Sequence, residues 1–464
     1  MNRRDFIRNS GLTIAGIGLS GLAMPTVFAQ GSPNKKIVVA VMGVNGRGNY
    51  LSKVFAKMPD CEVAYICDVD QRVMSKTIGE VSAIQTRKPT AEKDFRKALE
   101  DKGVDALVIA APDHWHASAA IAACSAGKHV YVEKPLSHNP NEGELMIQAA
   151  RKNKRIVQMG SQHRSGSGMQ QLVADIKSGL IGNAYMARAW YTNNRGPMQL
   201  KNAAVPTWLD YDLWQGPAPR KPYQSGLIHY NWHWRWHWGA GEVLNNGTHE
   251  LDIARWGLRV EFPSRVSSSG GRYSFKDDWE TPDTQTISIE FPENRLIVWE
   301  SRSCNNFKED GFDRGVTFYG DNGTIVSHGD SYTVYDKSLK AVKSFKNAAA
   351  ESQGAGKETG KGTGKETTGK GTVKETTGKE TGKGGAKLDE LHIANFLDCI
   401  RTGNAPVAEC EIGHRSTLLG QLGNISLRTK QMLEIDPKSG RIVNNPAAQQ
   451  LWSREYEKGW ELRI

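Results

Sequence analysis

Two side chains in this sequence have the right types and settings to move a hydroxyl proton. Lys134 stands alone between Glu133 and Pro135, just past the apolar run His129–Val132. His249 closes the glycine-bearing run Gly239-Ala240-Gly241-Glu242-Val243-Leu244-Asn245-Asn246-Gly247-Thr248-His249. A lysine at a strand end, partly desolvated, can have its pKa pulled toward neutrality and serve as acid or base. A neutral imidazole can accept a proton at ordinary working pH. Chemistry that removes a proton from a hydroxyl needs such a group against the reacting oxygen.

The elements that position Lys134 are legible around it. Ala106–Ala111 is an apolar run stopped by Pro112, a helix-like segment follows from Ser118 to Ala126, and Gly127 closes it before the His129 run. Strand, helix and strand so closely spaced predict a parallel βαβ unit. Groups just past the C-terminal ends of such strands line the ligand crevice of an open α/β sheet. Upstream, Ile37–Met42 predicts a buried strand running into Gly43-Val44-Asn45-Gly46-Arg47-Gly48 and a helix over Asn49–Met58. Glycines at such a turn let backbone approach a pyrophosphate, and the helix start offers it free N–H groups. A second strand, Glu62–Cys67, ends at Asp68, twenty residues past Gly48, where a carboxylate can bond a ribose diol. Asp68 would repel a 2′-phosphate, so NAD is expected rather than NADP, with Arg72 nearby as the opposing sign.

With these motifs the chain resembles the glucose-fructose oxidoreductase / inositol dehydrogenase / rhizopine catabolism (Gfo/Idh/MocA) family of nicotinamide-dependent enzymes. The resemblance rests on the Gly43–Gly48 turn, Asp68, Ala111-Pro112 with His116, Gly127-Lys128-His129, Glu133-Lys134-Pro135 and the run ending at His249. It covers nearly everything from Lys36 onward except one insert. It implies Lys134 and His249 as the catalytic pair flanking the reacting carbon. It implies a cofactor site of Gly43, Asn45, Gly46, Arg47, Gly48, Asp68, Pro112, His116, Glu133 and Lys134. The sequence departs twice: Asn45 takes the usual place of the second glycine, and Asn245 takes the place of the family aspartate. An amide cannot titrate, so Asn245 is left to orient substrate or Lys134. The resemblance implies hydride transfer from a sugar, polyol or glycoside to a tightly bound nicotinamide. The alternatives are a redox-neutral NAD-dependent glycoside hydrolase and a non-catalytic sugar-binding protein.

The segment Asn231-Trp232-His233-Trp234-Arg235-Trp236-His237-Trp238 precedes the Gly239 run. If extended, its four tryptophans face one way and His233, Arg235 and His237 the other. Indoles stack on sugar C–H faces, so Trp232, Trp236 and Arg235 are candidate substrate groups, with His163, Arg164 and Arg195 behind them. Tryptophans also bury large areas in cores, so about half of the four are expected to be structural.

The overall charge of +10 over 464 residues invites a nucleic-acid reading until it is located. Residues 1–29 carry +2 and residues 346–387 carry +4, leaving +4 for the rest, which argues against a nucleic-acid partner. Asn2-Arg3-Arg4-Asp5-Phe6-Ile7-Arg8, the apolar run Gly11–Met24 and Val27-Phe28-Ala29 together resemble a twin-arginine export signal. That predicts passage through the twin-arginine translocase to the periplasm, with no stable membrane span, because the run is shorter than the ~20 residues a span needs. Six cysteines in so long a chain make no disulfide framework. Cys61 and Cys67 bracket one strand, Cys124 reads as helix packing, and a Cys399–Cys410 bridge stays open. No Cys/His spacing reads as a metal site.

The expected architecture is an α/β Rossmann domain over 34–161 and an α+β domain with a large open, mostly antiparallel sheet over 162–345. The Lys/Glu/Thr/Gly-rich stretch 346–387 has too few apolar residues to offset chain entropy and is expected to lack order. Helices and a tail over 388–464 are expected to complete the second domain. Alternation at Ile287, Ile289 and Phe291 fits one buried sheet face. In the family the free sheet face forms a homo-oligomer contact, though packing by the domain's own helices predicts the same alternation.

Overall fold

A computed structural model describes residues 36–346 and 383–464. The export signal at 1–29 and most of the 346–387 stretch lie outside the described residues.

The first domain is a doubly wound parallel sheet of six strands in the order β3-β2-β1-β4-β5-β6. These are β1 Ile37–Met42, β2 Cys61–Cys67, β3 Thr90–Glu92, β4 Ala106–Ile109, β5 His129–Val132 and β6 Val157–Met159. β1 is buried on both faces, Val39 and Val41 packing one core and Ala40 and Met42 the other. That explains a continuous apolar run where one-sided strands would alternate. The helices α1 Arg47–Lys57, α2 Gln71–Ser82, α3 Phe95–Glu100, α4 Asp113–Ser125 and α5 Pro140–Asn153 cover the faces.

Two expectations are corrected here. Helix α4 begins at Asp113, not Ser118, with Pro112 as its N-cap. Proline restricts the residue before it, not the one after, and an acidic residue in the first turn suits the helix dipole. The second correction concerns the end of the chain. Helix Lys383–Thr402 starts within the stretch expected to lack order. Its Ile393, Phe396 and Leu397 join the first domain's core beside Tyr131, not the second domain's. Helices α4 and α5 pack the opposite face, so the area over Tyr131 is filled by a helix from far along the chain.

The second domain holds an eleven-stranded mixed sheet. Its long strands are Ala184–Asn194, Arg265–Gly271, Thr284–Phe291, Arg295–Arg302, Arg314–Gly320, Gly323–His328 and Ser331–Asp336. All neighbours run antiparallel except Ala184–Asn194 beside Arg295–Arg302, which are parallel. Ile287, Ile289 and Phe291 pack against Leu418, Leu422 and Ile425 of helix Cys410–Thr429. Their alternation is therefore accounted for by the domain's own helices. The six cysteines are all free thiols, Cys399 and Cys410 included. Among the described residues no helix is long and apolar enough to cross a membrane.

Candidate active site

The crevice lies past the C-terminal ends of β1, β2, β4 and β5. At its nucleotide end the backbone makes the shape. Gly43 has φ +81°, and a Cβ there would sit 2.6 Å from the Ala111 nitrogen. A Cβ on Gly48 would fall 1.9 Å from the Gly43 oxygen, so the turn closes only without side chains at both positions. Gly46 differs, since a Cβ there meets nothing within 4 Å. No side chain caps α1, which leaves first-turn N–H groups open to an anion in that space. Asp68 accepts from Val44 N at 2.6 Å and Asp70 N at 2.9 Å, and burial raises its pKa against those bonds. Each carboxylate oxygen keeps a second lone pair for a diol. Beside it a groove of about 370 Å³ is lined by Val69, Gln71, Trp208 and Tyr211 among others. Arg72 bonds Asp70 through Nε at 3.1 Å and Nη2 at 2.8 Å, and its guanidinium lies 3.4 Å from the centre of the Trp208 ring. That commits the nearest cation to a carboxylate, in keeping with a diol rather than a 2′-phosphate. This cradle fits a dinucleotide.

Three residues expected to touch the cofactor are engaged elsewhere. Arg47 Nε donates to Glu133 at 2.8 Å, and its two terminal nitrogens donate to Asp389 at 3.0 and 2.6 Å. Arg47 and Glu133 therefore pair with each other and tie the glycine turn to the helix at 383–402. His116 lies within 2.6 Å of the Pro135 oxygen and 2.9 Å of the Ala111 oxygen, and burial lowers its pKa to about 4. The neutral ring donates its one N–H to one of these carbonyls and packs between the segments after β4 and β5, beside Lys134. Asn45 is exposed on the turn, and Pro112 caps α4.

At the reacting end, Lys134 Nζ donates to the Asn245 backbone oxygen and to Oδ1 at 3.3 Å. Asn245 Nδ2 donates in turn to Glu242 Oε1 at 3.3 Å. Glu242 is buried, which would raise its pKa, but Arg195 at 2.7 Å, Asn246 and Ser303 outweigh this and hold it ionised. A carboxylate thus stands three residues back from Asn245, at Glu242, with the Asn245 amide bridging it to Lys134. Sequence reasoning missed Glu242, although it lies in the same run.

His249 is buried, and its pKa is pushed well below the usual histidine range by that burial and then by His163, Lys134, Arg314 and Arg47. Its Nδ1 has no hydrogen-bond partner, and its ring meets His163 edge-on at 5.2 Å. It is a neutral imidazole able to accept a proton. Asp113 was also missed, although it follows Pro112 directly. It is buried, and burial raises its pKa to about 7 against the charge of Lys134.

The aromatic segment departs most from expectation. Asn231–Trp234 is a 3₁₀ turn, so the side chains do not alternate between two faces. Trp232 stacks on His233 at 3.6 Å and bonds the His229 oxygen, and Trp234 stacks on Trp279 at 4.1 Å. Trp238 is buried in the same aromatic cluster as Trp232 and Trp214. Arg235 donates to the Asp278 oxygen at 2.7 Å and pairs with Glu280 at 2.8 Å. Arg164 is buried on Asp252 through two bonds of 2.7 and 2.9 Å. Trp232, Arg235 and Arg164 are therefore engaged in contacts within the chain. Trp236 is half-buried under the Arg428 guanidinium, 5.1 Å away. His163 stays beside His249.

Comparison with known proteins agrees with this fold. The signature described as "Oxidoreductase family, NAD-binding Rossmann fold" matches residues 37–161. The one described as "Oxidoreductase family, C-terminal alpha/beta domain" matches residues 176–435. A "Glycosyl hydrolase family 109 protein" of Shewanella pealeana is 28% identical over 230 residues, 46% of this chain and 50% of that protein. An "Alpha-N-acetylgalactosaminidase" of Shewanella oneidensis is 24% identical over 231 residues, with the same coverage. The chain spans about half the length of these curated relatives. Levoglucosan dehydrogenase in complex with NADH and levoglucosan superposes with a TM-score of 0.63 at 18% identity, covering 86% of this chain and 99% of that one. An NAD binding oxidoreductase from Klebsiella pneumoniae gives 0.60 at 18%, with the same coverage. These two likenesses are of fold.

Proposed function

We propose, from the premise that this chain belongs to the Gfo/Idh/MocA oxidoreductase family and carries its NAD-binding Rossmann domain, that it acts on a sugar, polyol or glycoside by hydride transfer with retained NAD. The observation that carries the reading is Lys134, held on Asn245, in one crevice with a neutral, buried His249. NAD supplies the hydride acceptor. Lys134 and His249 hold the substrate hydroxyl, and one of the two takes its proton. Glu242 and Arg195 fix the Asn245 amide, which fixes the position of Lys134 Nζ. Burial keeps water from His249 and preserves its neutral form.

A second reading is favoured by the relatives named as glycosidases. Transient oxidation acidifies a neighbouring C–H, the glycosidic bond is eliminated, water adds, and the hydride returns. Product analysis on free sugars and on α- and β-glycosides, with protein carrying its native nucleotide, separates the two. An oxidised sugar with accumulating NADH supports net oxidation, and a hydrolysed glycoside with no net NADH supports the cycle. Binding without either product would leave only a sugar-binding protein.

The same reading includes a homo-oligomer, tested by light-scattering mass, and periplasmic export of the folded, loaded protein. A periplasmic enzyme has no free nicotinamide pool, which favours chemistry that regenerates its own cofactor. Arg3→Lys with Arg4→Lys should leave the precursor in the cytoplasm with nucleotide bound. Continued export of that double variant would overturn the twin-arginine reading.

A further inference from the structure

The loop that carries Asp68 also holds a second acid and a cation, and their pairing bears on which nucleotide fits. Asp68 follows β2, and Arg72 stands four residues on, in the first turn of α2. A 2′-phosphate on the adenosine ribose would bring its charge to this place, and a nearby arginine is the kind of group that accommodates it. The Arg72 side chain is 55% exposed, so packing alone does not hold it. Two contacts do. Its Nε and Nη2 donate to Asp70 at 3.1 and 2.8 Å, and Trp208 covers its guanidinium. Lys93, the cation in the wall of the adjoining groove, is likewise paired, with Asp210 at 3.4 Å. Asp70 itself is fully buried and also accepts from His229 Nε2 at 3.0 Å. Burial works against its charge, yet the Arg72 and His229 bonds outweigh burial and hold its pKa below the ordinary carboxylate range. Drawing Arg72 away would leave a buried carboxylate short of its counter-ion, which is costly. The second domain keeps the arrangement in place. Gln71 N donates to the Trp208 oxygen at 3.4 Å, Asp210 N donates to the Val69 oxygen at 3.1 Å, and Asp70 and Leu209 pair as an antiparallel bridge. The His229 ring lies nearly parallel to Trp208, with ring centres 6.3 Å apart.

We propose that Asp70, supported by Trp208 and His229 of the second domain, is a specificity-determining residue that selects NAD over NADP by withholding Arg72 from the ribose 2′ position. Asp68 repels a 2′-phosphate, and Asp70 denies that phosphate the cation that would offset the repulsion. Specificity is a difference of affinities, and here part of the difference is a contact kept from the wrong nucleotide. Removing the Asp68 charge alone therefore does not convert the site, because Arg72 stays on its buried partner. The inference rests on the NAD-binding domain and is independent of which sugar the protein processes.

The experiment reads the nucleotide carried by purified holoprotein, released by denaturation and identified by mass, with no substrate present. Where a variant purifies empty, titration with NADP and with NAD gives the same ratio as two dissociation constants. Asp68→Ser should still favour NAD. Adding Arg72→Gln, which keeps an N–H for Asp70 but no charge for a phosphate, should move its NADP-to-NAD ratio by less than about twofold, since Arg72 is already held. Adding Asp70→Asn to Asp68→Ser instead keeps the side-chain oxygen that caps α2 and removes the charge that holds Arg72. That should raise the ratio about tenfold or more, and Arg72→Gln should cancel the gain. A several-fold fall on Arg72→Gln in the Asp68→Ser background would show Arg72 already on the phosphate and overturns the proposal. So does an absent gain from Asp70→Asn, or a gain that survives Arg72→Gln. If Asp70→Asn does not fold, Trp208→Leu carries the test, because baring the guanidinium must then raise the ratio in Asp68→Ser, and a flat ratio overturns it. NADP in the wild-type protein would overturn the NAD reading itself, a separate outcome, and the product analysis decides the sugar reading independently.

Discussion

The two ends of the crevice are built by different means. The nucleotide end is made of backbone: a positive φ at Gly43, a contact at Gly48 that leaves no room for Cβ, and strand ends that aim Asp68 and Lys134. The end proposed to face substrate is made of interlocked side chains, with Trp234 on Trp279, Trp232 on His233, and Arg235 on Glu280. In the first, residue type dictates geometry, because only glycine satisfies the backbone. In the second, residue type supplies area and hydrogen bonds, and many geometries use them equally well.

The comparison breaks most sharply at the turn. Gly48→Ala drives a methyl into the Gly43 carbonyl, 1.9 Å away, and should abolish nucleotide retention or the fold itself. Gly46→Ala clashes with nothing within 4 Å and should fold normally. It should still lose nucleotide, because the methyl occupies the open cradle. Nucleotide absorbance per folded chain measures both. A fully loaded Gly46→Ala protein would show that the pyrophosphate does not use this space.

A smaller effect is expected at the boundary between the two ends. Lys134→Ala and His249→Ala should each lower turnover by roughly 10²–10⁴ while nucleotide content holds. Asn245→Ala should cost less and appear partly in KM, since the amide orients Lys134 without exchanging a proton. A His249→Ala protein with full turnover on the identified substrate would remove His249 from the chemistry and leave Lys134 alone.

The legibility of the sequence follows the same division. The βαβ units and the glycine turn are legible because buried parallel strands and tight turns admit few residue types. The ties of Arg47 to Glu133 and Asp389 are not legible in the sequence, since Asp389 lies 342 residues along the chain from Arg47. Nothing local signals a contact over that separation. Asp113 is not legible as a first-turn residue, because a proline that ends the β4 run serves equally as the N-cap of α4. The 3₁₀ turn in the tryptophan segment is not legible, because a short aromatic run has no period that separates a strand from such a turn.

The last and smallest expected effect tests whether any of that segment serves substrate. Trp234 is 2% exposed and stacked on Trp279. Trp234→Ala should destabilise the protein by about 3–5 kcal/mol, as large core truncations do, whatever the substrate is. Trp236 is half-buried and covered on one side by Arg428. A partly exposed cation–π contact contributes about 0.5–1 kcal/mol, so Trp236→Ala should barely move the unfolding midpoint. If its open face stacks on a sugar ring, the same variant should raise KM several-fold with kcat unchanged, the pattern of lost uniform binding. An unchanged KM would make the whole run Asn231–Trp238 scaffold. The sugar contacts would then have to come from the side chains around His163 and His249.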